Sequence, residues 1–449
     1  MPVLVAAFFI DLEALMFVPS RQTVRKIFTL MLVASTATLE CQAETAPEQL
    51  YLAKPAEMRP ALSQPGSFPV GVRTVELMHE NQLDLTSQQS GPRKLTVELW
   101  YPAKLLSGHR MANYTSMTKS QQAFIIQGNA YRNAEPDTAQ PLPVVVISHG
   151  YPGNRALMFY LGEHLASHGY LVAAIDHMHS TYAEIDQKKA PYAGFLNTLY
   201  HRSRDQQFVL DALRQSGNPD LQFIEGKVDK NAAAVIGYSM GGYGAINTVG
   251  GCFAFTEQSI AAFTGVKDSG ANQALQQKLN SCAGGQLPSE VKVAPAWKAA
   301  IAIAPWGGQH QLFSASALKN IKVPVMYLAG DKDDVSGYDG MRHLYEQTGS
   351  KHKYFLTYHH AGHNIAPHPA PVVSRKLAGD FAHYQEANWA TDTLNDINRH
   401  FALAMLDCHV KSIKARCDLL QQKELTSLWP GYVKGMPTAL SWESSSGKQ

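Results

Sequence analysis

Two hydrophobic rhythms alternate along this chain. Continuous β-branched or small apolar runs recur: LPVVVISHG (142–150), YLVAAIDH (170–177), NAAAVIGYS (231–239), AAIAIAPW (299–306), VPVMYLAG (323–330) and the start of YFLTYHHAGH (354–363). Runs with no polar alternation predict strands covered on both faces. Between them lie stretches with helical spacing: RALMFYLGEHLASHG (155–169), RDQQFVLDALRQS (204–216), GGYGAINTV (241–249) and the amphipathic DTLNDINRHFALAMLDCHV (392–410). GVRTVELMH (71–79) and KLTVELWYPA (94–103) predict an opening pair of strands, and the polar segment 104–141 reads as irregular. Strands alternating with helices predict an α/β fold, a mainly parallel central sheet with helices on both faces.

Residues 251–297 interrupt the rhythm. They hold two cysteines and Gln-rich polar stretches without a strand, and predict an inserted lid or cap. Phe253, Phe255, Phe263 and Trp297 are its large apolar residues, candidates for pocket lining or for simple packing. The domain plan is then a core domain over 70–410 with the insert 251–297, an irregular leader at 44–69, and an extension at 411–449. Arg21, Arg25 and Lys26 precede the apolar run IFTLMLVASTATL, so residues 1–43 read as a signal peptide, with Met16 an alternative start. Export to the periplasm or outside the cell follows as the expectation, with no membrane span left after cleavage.

Export changes how the cysteines read. Four remain beyond Ala43, and an even number in an oxidising compartment favours disulfides. Proximity suggests Cys252–Cys282 and Cys408–Cys417, among three possible pairings. The formal net charge of +2 and the lack of a basic, aromatic-interleaved run argue against nucleic acid as a partner.

The chemistry collects at predicted strand ends, where reactive groups gather in such sheets. The run AAAVIGY ends in Gly237-Tyr238-Ser239-Met240-Gly241, the Gly-x-Ser-x-Gly of a strained strand-to-helix turn that presents a nucleophilic serine. A serine needs a base, an orienting acid and oxyanion donors. GDKDD (330–334) offers Asp331, Asp333 and Asp334; Gly-x-x-Asp spacing selects Asp333, with Asp334 next. HHAGHN (359–364) offers His363, in the last position of the order Ser, Asp, His, with His359 and His360 as alternatives. A metal site from His359, His363 and His368 is disfavoured, since Gly362 and nearby prolines oppose the helix that an i, i+4 pair needs. SHGYPGNR (148–155) supplies an oxyanion donor, the Tyr151 N–H; the second is the Met240 N–H. His149 and Asp176 are read as structural, and Trp306 as either pocket lining or core.

These stretches together, with VELWYPA (97–103), AAIDHMHS (173–180), AGDKDDVSGY (329–338) and AGHNIA (361–366), resemble the α/β-hydrolase superfamily, in its dienelactone hydrolase-like and platelet-activating factor acetylhydrolase-like group. The resemblance runs from about residue 70 to 410. It implies a serine ester hydrolase acting on a small-molecule ester without a cofactor or metal. By position it carries the nucleophile onto Ser239, the acid onto Asp333, the base onto His363 and the oxyanion donors onto Tyr151 and Met240. Serine stands where dienelactone hydrolases have cysteine, so their substrate does not transfer. A peptidase or amidase on the same scaffold, and a non-catalytic binding protein, are the competing readings.

Overall fold

The computed structural model describes residues 46–421 and 439–446; the expected signal peptide lies outside them. Its strands are β1 (Val70–Asp84), β2 (Gln89–Lys104), β3 (Met111–Met117), β4 (Ala123–Arg132), β5 (Glu135–Pro136), β6 (Leu142–Ser148), β7 (Leu171–Asp176), β8 (Val228–Tyr238), β9 (Trp297–Ile303), β10 (Val325–Gly330), β11 (His352–Tyr358) and β12 (Leu440–Ser446). The helices are α1 (Phe159–Ser167), α2 (Phe195–Arg214), α3 (Met240–Thr248), α4 (Glu257–Thr264), α5 (Ser269–Leu279), α6 (Ala315–Asn320), α7 (Tyr338–Gln347), α8 (Ala378–Ala382), α9 (Thr391–His409) and α10 (Lys414–Leu420).

One sheet runs through the molecule in the order β12-β11-β10-β9-β8-β6-β7-β2-β1-β4-β3, with β5 beside β2. The six strands from β7 to β11 are mutually parallel, as their unbroken apolar runs require. Val144, Val145 and Val146 of β6 are fully buried. This is the α/β-hydrolase arrangement. Among the parallel strands β6 to β11, one step runs against the others. The step from β6 to β7 goes one way; the step from β7 to β8 crosses back over β6. Right-handed crossovers then place α1 on one face and α2 and α3 on the other. Helix α9 returns to pack on α1, and α2 packs on α3. The reversal brings the carboxyl ends of β6 and β8 side by side, the position where α/β sheets open a crevice.

Three stretches differ from the reading by pattern. Segment 104–141 is not irregular but contains β3, β4 and β5. Its inward positions alternate with more exposed ones, Ala112, Tyr114 and Ser116 in β3 and Phe124, Ile126, Gly128 and Ala130 in β4, a period-two pattern diluted by small and polar residues. Helix α2 begins at Phe195 rather than Arg204, because its early turns bury polar side chains (Asn197, Thr198, His201, Arg202) that hide the amphipathic period. The segment past 410 returns to the sheet, with β12 antiparallel along β11.

The insert departs from the sheet after α3 and comes back at β9. Cys252 is joined to Cys282 across its base, and Cys408 in the last turn of α9 to Cys417 of α10, the partners nearest in sequence. Within the insert, α4 starts at a reciprocal Thr256–Ser259 cap and α5 at Asp268, whose carboxylate accepts the Ala271 N–H. Among the described residues no helix is long and apolar enough to cross a membrane.

Candidate active site

Between β8 and α3 the backbone turns through Ser239 at φ 54°, ψ −114°, a conformation rarely held by a residue with a side chain. The turn works only because its flanks are glycine. A Cβ on Gly237 would lie 2.1 Å from the Gly241 carbonyl oxygen, and one on Gly241 would lie 2.0 Å from the Ser148 carbonyl oxygen. Both obstacles are backbone. The strained residue is tied down on two sides: its N–H donates to the Ile303 carbonyl at 2.9 Å and its carbonyl accepts the Trp306 N–H at 3.2 Å.

His363, on the loop after β11, bridges two other strand ends. Its Nε2 lies 3.0 Å from Ser239 Oγ and its Nδ1 2.8 Å from Asp333 Oδ2. Asp333 follows β10 and is buried. Its other oxygen, Oδ1, accepts the N–H groups of Val335 and Ser336 at 2.9 and 2.8 Å. A carboxylate only accepts, so the Nδ1 proton is fixed on the Asp333 side and Nε2 is left free to accept from the serine hydroxyl. The residues singled out at three strand ends thus form one hydrogen-bonded row.

The alternatives fall elsewhere. Asp334 is exposed. Asp331 turns away, accepting from the His360 N–H at 2.7 Å and meeting His359 Nδ1 at 3.0 Å. His368 is buried and stacks on Tyr384. Asp176 pairs with the Arg155 guanidinium and accepts its N–H.

Glu386 had no signal in the sequence, since it lies far along the chain in a segment with no strand to end. Its two oxygens accept the backbone N–H groups of Gly362 and Asn364, on either side of His363. Burial raises its pKa, with those two N–H bonds opposing. The Tyr238 ring packs 5.2 Å from the His363 ring. Together they hold the imidazole in place.

Ser239 opens into a cleft of about 720 Å³. Tyr151 and Met240 line it, and among the described residues neither backbone N–H is donated elsewhere. Met240 is the first residue of α3, so its N–H has no intrahelical acceptor. The walls are aromatic. Trp306 stands edge-on to Phe195, with ring centres 5.4 Å apart, and meets Phe263 of the insert at 5.7 Å. Tyr192 lies at the mouth, three-quarters exposed. No Asp, Glu, Lys or Arg is among the residues lining the cleft. Of the insert's aromatic residues only Phe263 reaches it. Phe253 stacks on Tyr243, Phe255 is buried beside it, and Trp297 opens β9 and donates to Gln207.

Beneath the loop after β6 lies a second, buried polar group. Asp205 accepts two bonds from Arg93 at 2.8 Å and one from His177 Nδ1 at 2.8 Å. His177 Nε2 faces Ser148 Oγ at 2.8 Å, and its backbone N–H donates to His149 Nε2. Burial drives the His177 pKa down to about 3 and carries His149 well below its ordinary value. Burial would raise the Asp205 carboxyl, but Arg93 and His177 bring it well below the usual range.

A family model described as PET hydrolase-like matches residues 115–254, from β3 through the serine turn. Among curated proteins, platelet-activating factor acetylhydrolase of Bos taurus is 31% identical over 151 residues, covering 26% of this chain and 34% of that protein. Cutinase cut1 of Thermobifida fusca is 33% identical over 102 residues, covering 23% and 26%. The chain thus spans about a third or less of the length of these curated relatives. A solved ferulic acid esterase from Streptomyces cinnamoneus has the same fold: TM-score 0.51 at 20% identity, covering 82% of this chain and 94% of that one. The chain thus has the α/β-hydrolase fold, and from β3 through the serine turn it is similar to the PET hydrolase-like family and to proteins named platelet-activating factor acetylhydrolase and cutinase.

Proposed function

We propose that this chain is an exported serine hydrolase that cleaves carboxylic esters through an acyl-enzyme. The observation that carries the reading is the row Ser239–His363–Asp333 at hydrogen-bond distance, on the floor of an uncharged, aromatic cleft. His363 Nε2 takes the hydroxyl proton as Ser239 Oγ attacks the ester carbonyl. Asp333 keeps the other nitrogen protonated and stabilises the imidazolium. The Met240 and Tyr151 N–H groups receive the carbonyl oxygen as it becomes an oxyanion. His363 then gives the proton to the departing alkoxide. The same imidazole activates a water that releases the acid and frees Ser239. No metal or cofactor enters the cycle.

The cleft supports a substrate that is neutral at the scissile end, with a flat or apolar group laid against Trp306, Phe195 and Phe263. That its relatives include proteins named cutinase and acetylhydrolase supports ester over amide chemistry. A peptidase acting at a free amine would want a carboxylate in the cleft, and none is among its described lining residues. The two disulfides support an oxidising compartment, periplasmic or extracellular. The test is hydrolysis of p-nitrophenyl esters, acetate to palmitate plus benzoate, by the mature protein and by Ser239→Ala. Turnover by the first and not by the second is the expected result. Equal silence on every ester would overturn the assignment.

A further inference from the structure

The early turns of α2 bury charge directly beneath the loop that carries Tyr151. Arg202 is 1% exposed. Its Nη1 donates to the His149 carbonyl at 2.8 Å, and its Nη2 to the Gly150 carbonyl at 3.4 Å and to Ser180 Oγ. The Gly150 carbonyl also accepts from His149 Nδ1 at 2.7 Å. That nitrogen is the protonated one, because Nε2 of the same ring accepts the His177 N–H.

These bonds fix more than two carbonyls. The Gly150–Tyr151 peptide is trans, so its C=O and N–H point in opposite directions. Holding the Gly150 oxygen against α2 turns the Tyr151 N–H the other way, toward the cleft that Tyr151 and Ser239 both line. The neighbouring peptide is held alike through the His149 oxygen. Gly150 itself sits on the serine, where an added Cβ would lie 3.2 Å from Ser239 Cβ. We infer that Arg202 is the positioning residue of the oxyanion site, acting through the Gly150–Tyr151 peptide. Resting on the hydrolase reading above, this adds a group that touches no substrate.

A buried guanidinium on a peptide oxygen has a second effect. It draws electron density toward that oxygen and makes the N–H of the same peptide a stronger donor. Burial lowers the Arg202 pKa to about 9, with Asp205 opposing, so the side chain is charged at neutral pH. Asp205 binds Arg93 directly, and the Arg202 guanidinium stands behind the loop where negative charge develops. The arrangement also explains why the β6 loop carries His149-Gly150: the histidine supplies the second grip and the glycine admits the serine.

Steady-state ester hydrolysis by wild type, Arg202→Met, Arg202→Lys and Ser180→Ala tests this, with a trifluoromethyl ketone inhibitor measured alongside. Such ketones form a serine hemiketal whose oxyanion occupies the same place as that of the reaction. Losing one oxyanion donor outright costs about 10²–10³ in turnover. A misaimed donor should therefore lower kcat by about 10- to 100-fold in Arg202→Met, with KM within about twofold. The ketone's affinity should fall in step with kcat/KM. Lysine reaches only one carbonyl, so Arg202→Lys should recover part of the loss. A purely structural Arg202 would lower the thermal midpoint and leave kcat intact in folded enzyme; that result overturns the inference. Should Arg202→Met not fold, unchanged kcat in folded Arg202→Lys and Ser180→Ala overturns it equally. An inert wild type would instead defeat the hydrolase reading, and this inference with it.

Discussion

Replacing Asp333 by asparagine asks whether the acid sets the protonation of the base. The change keeps the shape of the side chain, and the surroundings dictate how the amide must sit. Oδ1 of Asp333 accepts from two backbone N–H groups, Val335 and Ser336. An amide turned the other way would face both with an NH₂. Leaving two buried donors unsatisfied costs about 1–3 kcal/mol each. The asparagine oxygen therefore stays on the backbone, and its NH₂ takes the place of Oδ2, 2.8 Å from His363 Nδ1. Nδ1 must then accept, and the ring proton moves to Nε2. That nitrogen now donates toward Ser239 Oγ and cannot take its proton. In serine enzymes with this arrangement the wrong tautomer costs about 10⁴ in kcat, or about 5 kcal/mol. The assay is p-nitrophenyl ester turnover at neutral pH, with the thermal midpoint as a control for folding. Expected are a kcat loss of about three to four decades, KM within a few-fold and a midpoint moved by a few degrees at most. A folded variant retaining more than a tenth of wild-type kcat would refute the tautomer argument.

Three further outcomes are expected. Trp306→Ala and Phe263→Ala should raise KM about tenfold for benzoate or naphthoate esters, since an aromatic pair adds about 0.5–1.5 kcal/mol beyond area burial; equal loss on acetate would show that the rings hold the fold instead. Replacing both Cys252 and Cys282 by serine opens a loop of 30 residues, worth about 3–4 kcal/mol in the chain-entropy account. Differential scanning fluorimetry should show a midpoint several degrees lower, and no shift would count against a structural role for this bridge. Acid should destabilise the protein, because burial lowers His177 and His201 to about 3 and His368 to about 4. Below about pH 6.5 the unfolded chain binds protons that these rings cannot bind in the fold, so stability falls with pH by up to about 1.4 kcal/mol per unit for each ring until the folded pKa is reached. A thermal midpoint constant from pH 7 to 5 would contradict this.

What could be read in the sequence follows from how locally each feature is encoded. The strands β6 to β11 announce themselves because burial on both faces leaves no polar alternation. Ser239 is legible because the crowding by the Gly241 and Ser148 carbonyls admits only glycine at 237 and 241. Asp333 and His363 are legible because a parallel sheet delivers its strand ends to one edge. The rest is encoded across distance. In β3 and β4 the inward positions mix Tyr114, Phe124 and Ile126 with Ala112, Ser116, Gly128 and Ala130, so the period-two pattern is present but diluted by small and polar residues. The start of α2 buries Asn197, Arg202 and Asp205, polar groups whose partners lie on other elements. Glu386 grips the His363 loop from a segment with no motif of its own. Phe253, Phe255 and Phe263 look alike in sequence, and only the packing of the insert decides which one meets the cleft.

The central claim, that Ser239 is a nucleophile activated by His363, is tested most directly by covalent capture. The mature protein is treated with a fluorophosphonate, and the adduct is located by intact mass and peptide mapping. The account predicts one adduct per chain, on the peptide containing Ser239, absent in Ser239→Ala and formed far more slowly in His363→Ala. No adduct on the wild type, or an adduct that persists in Ser239→Ala, would contradict it.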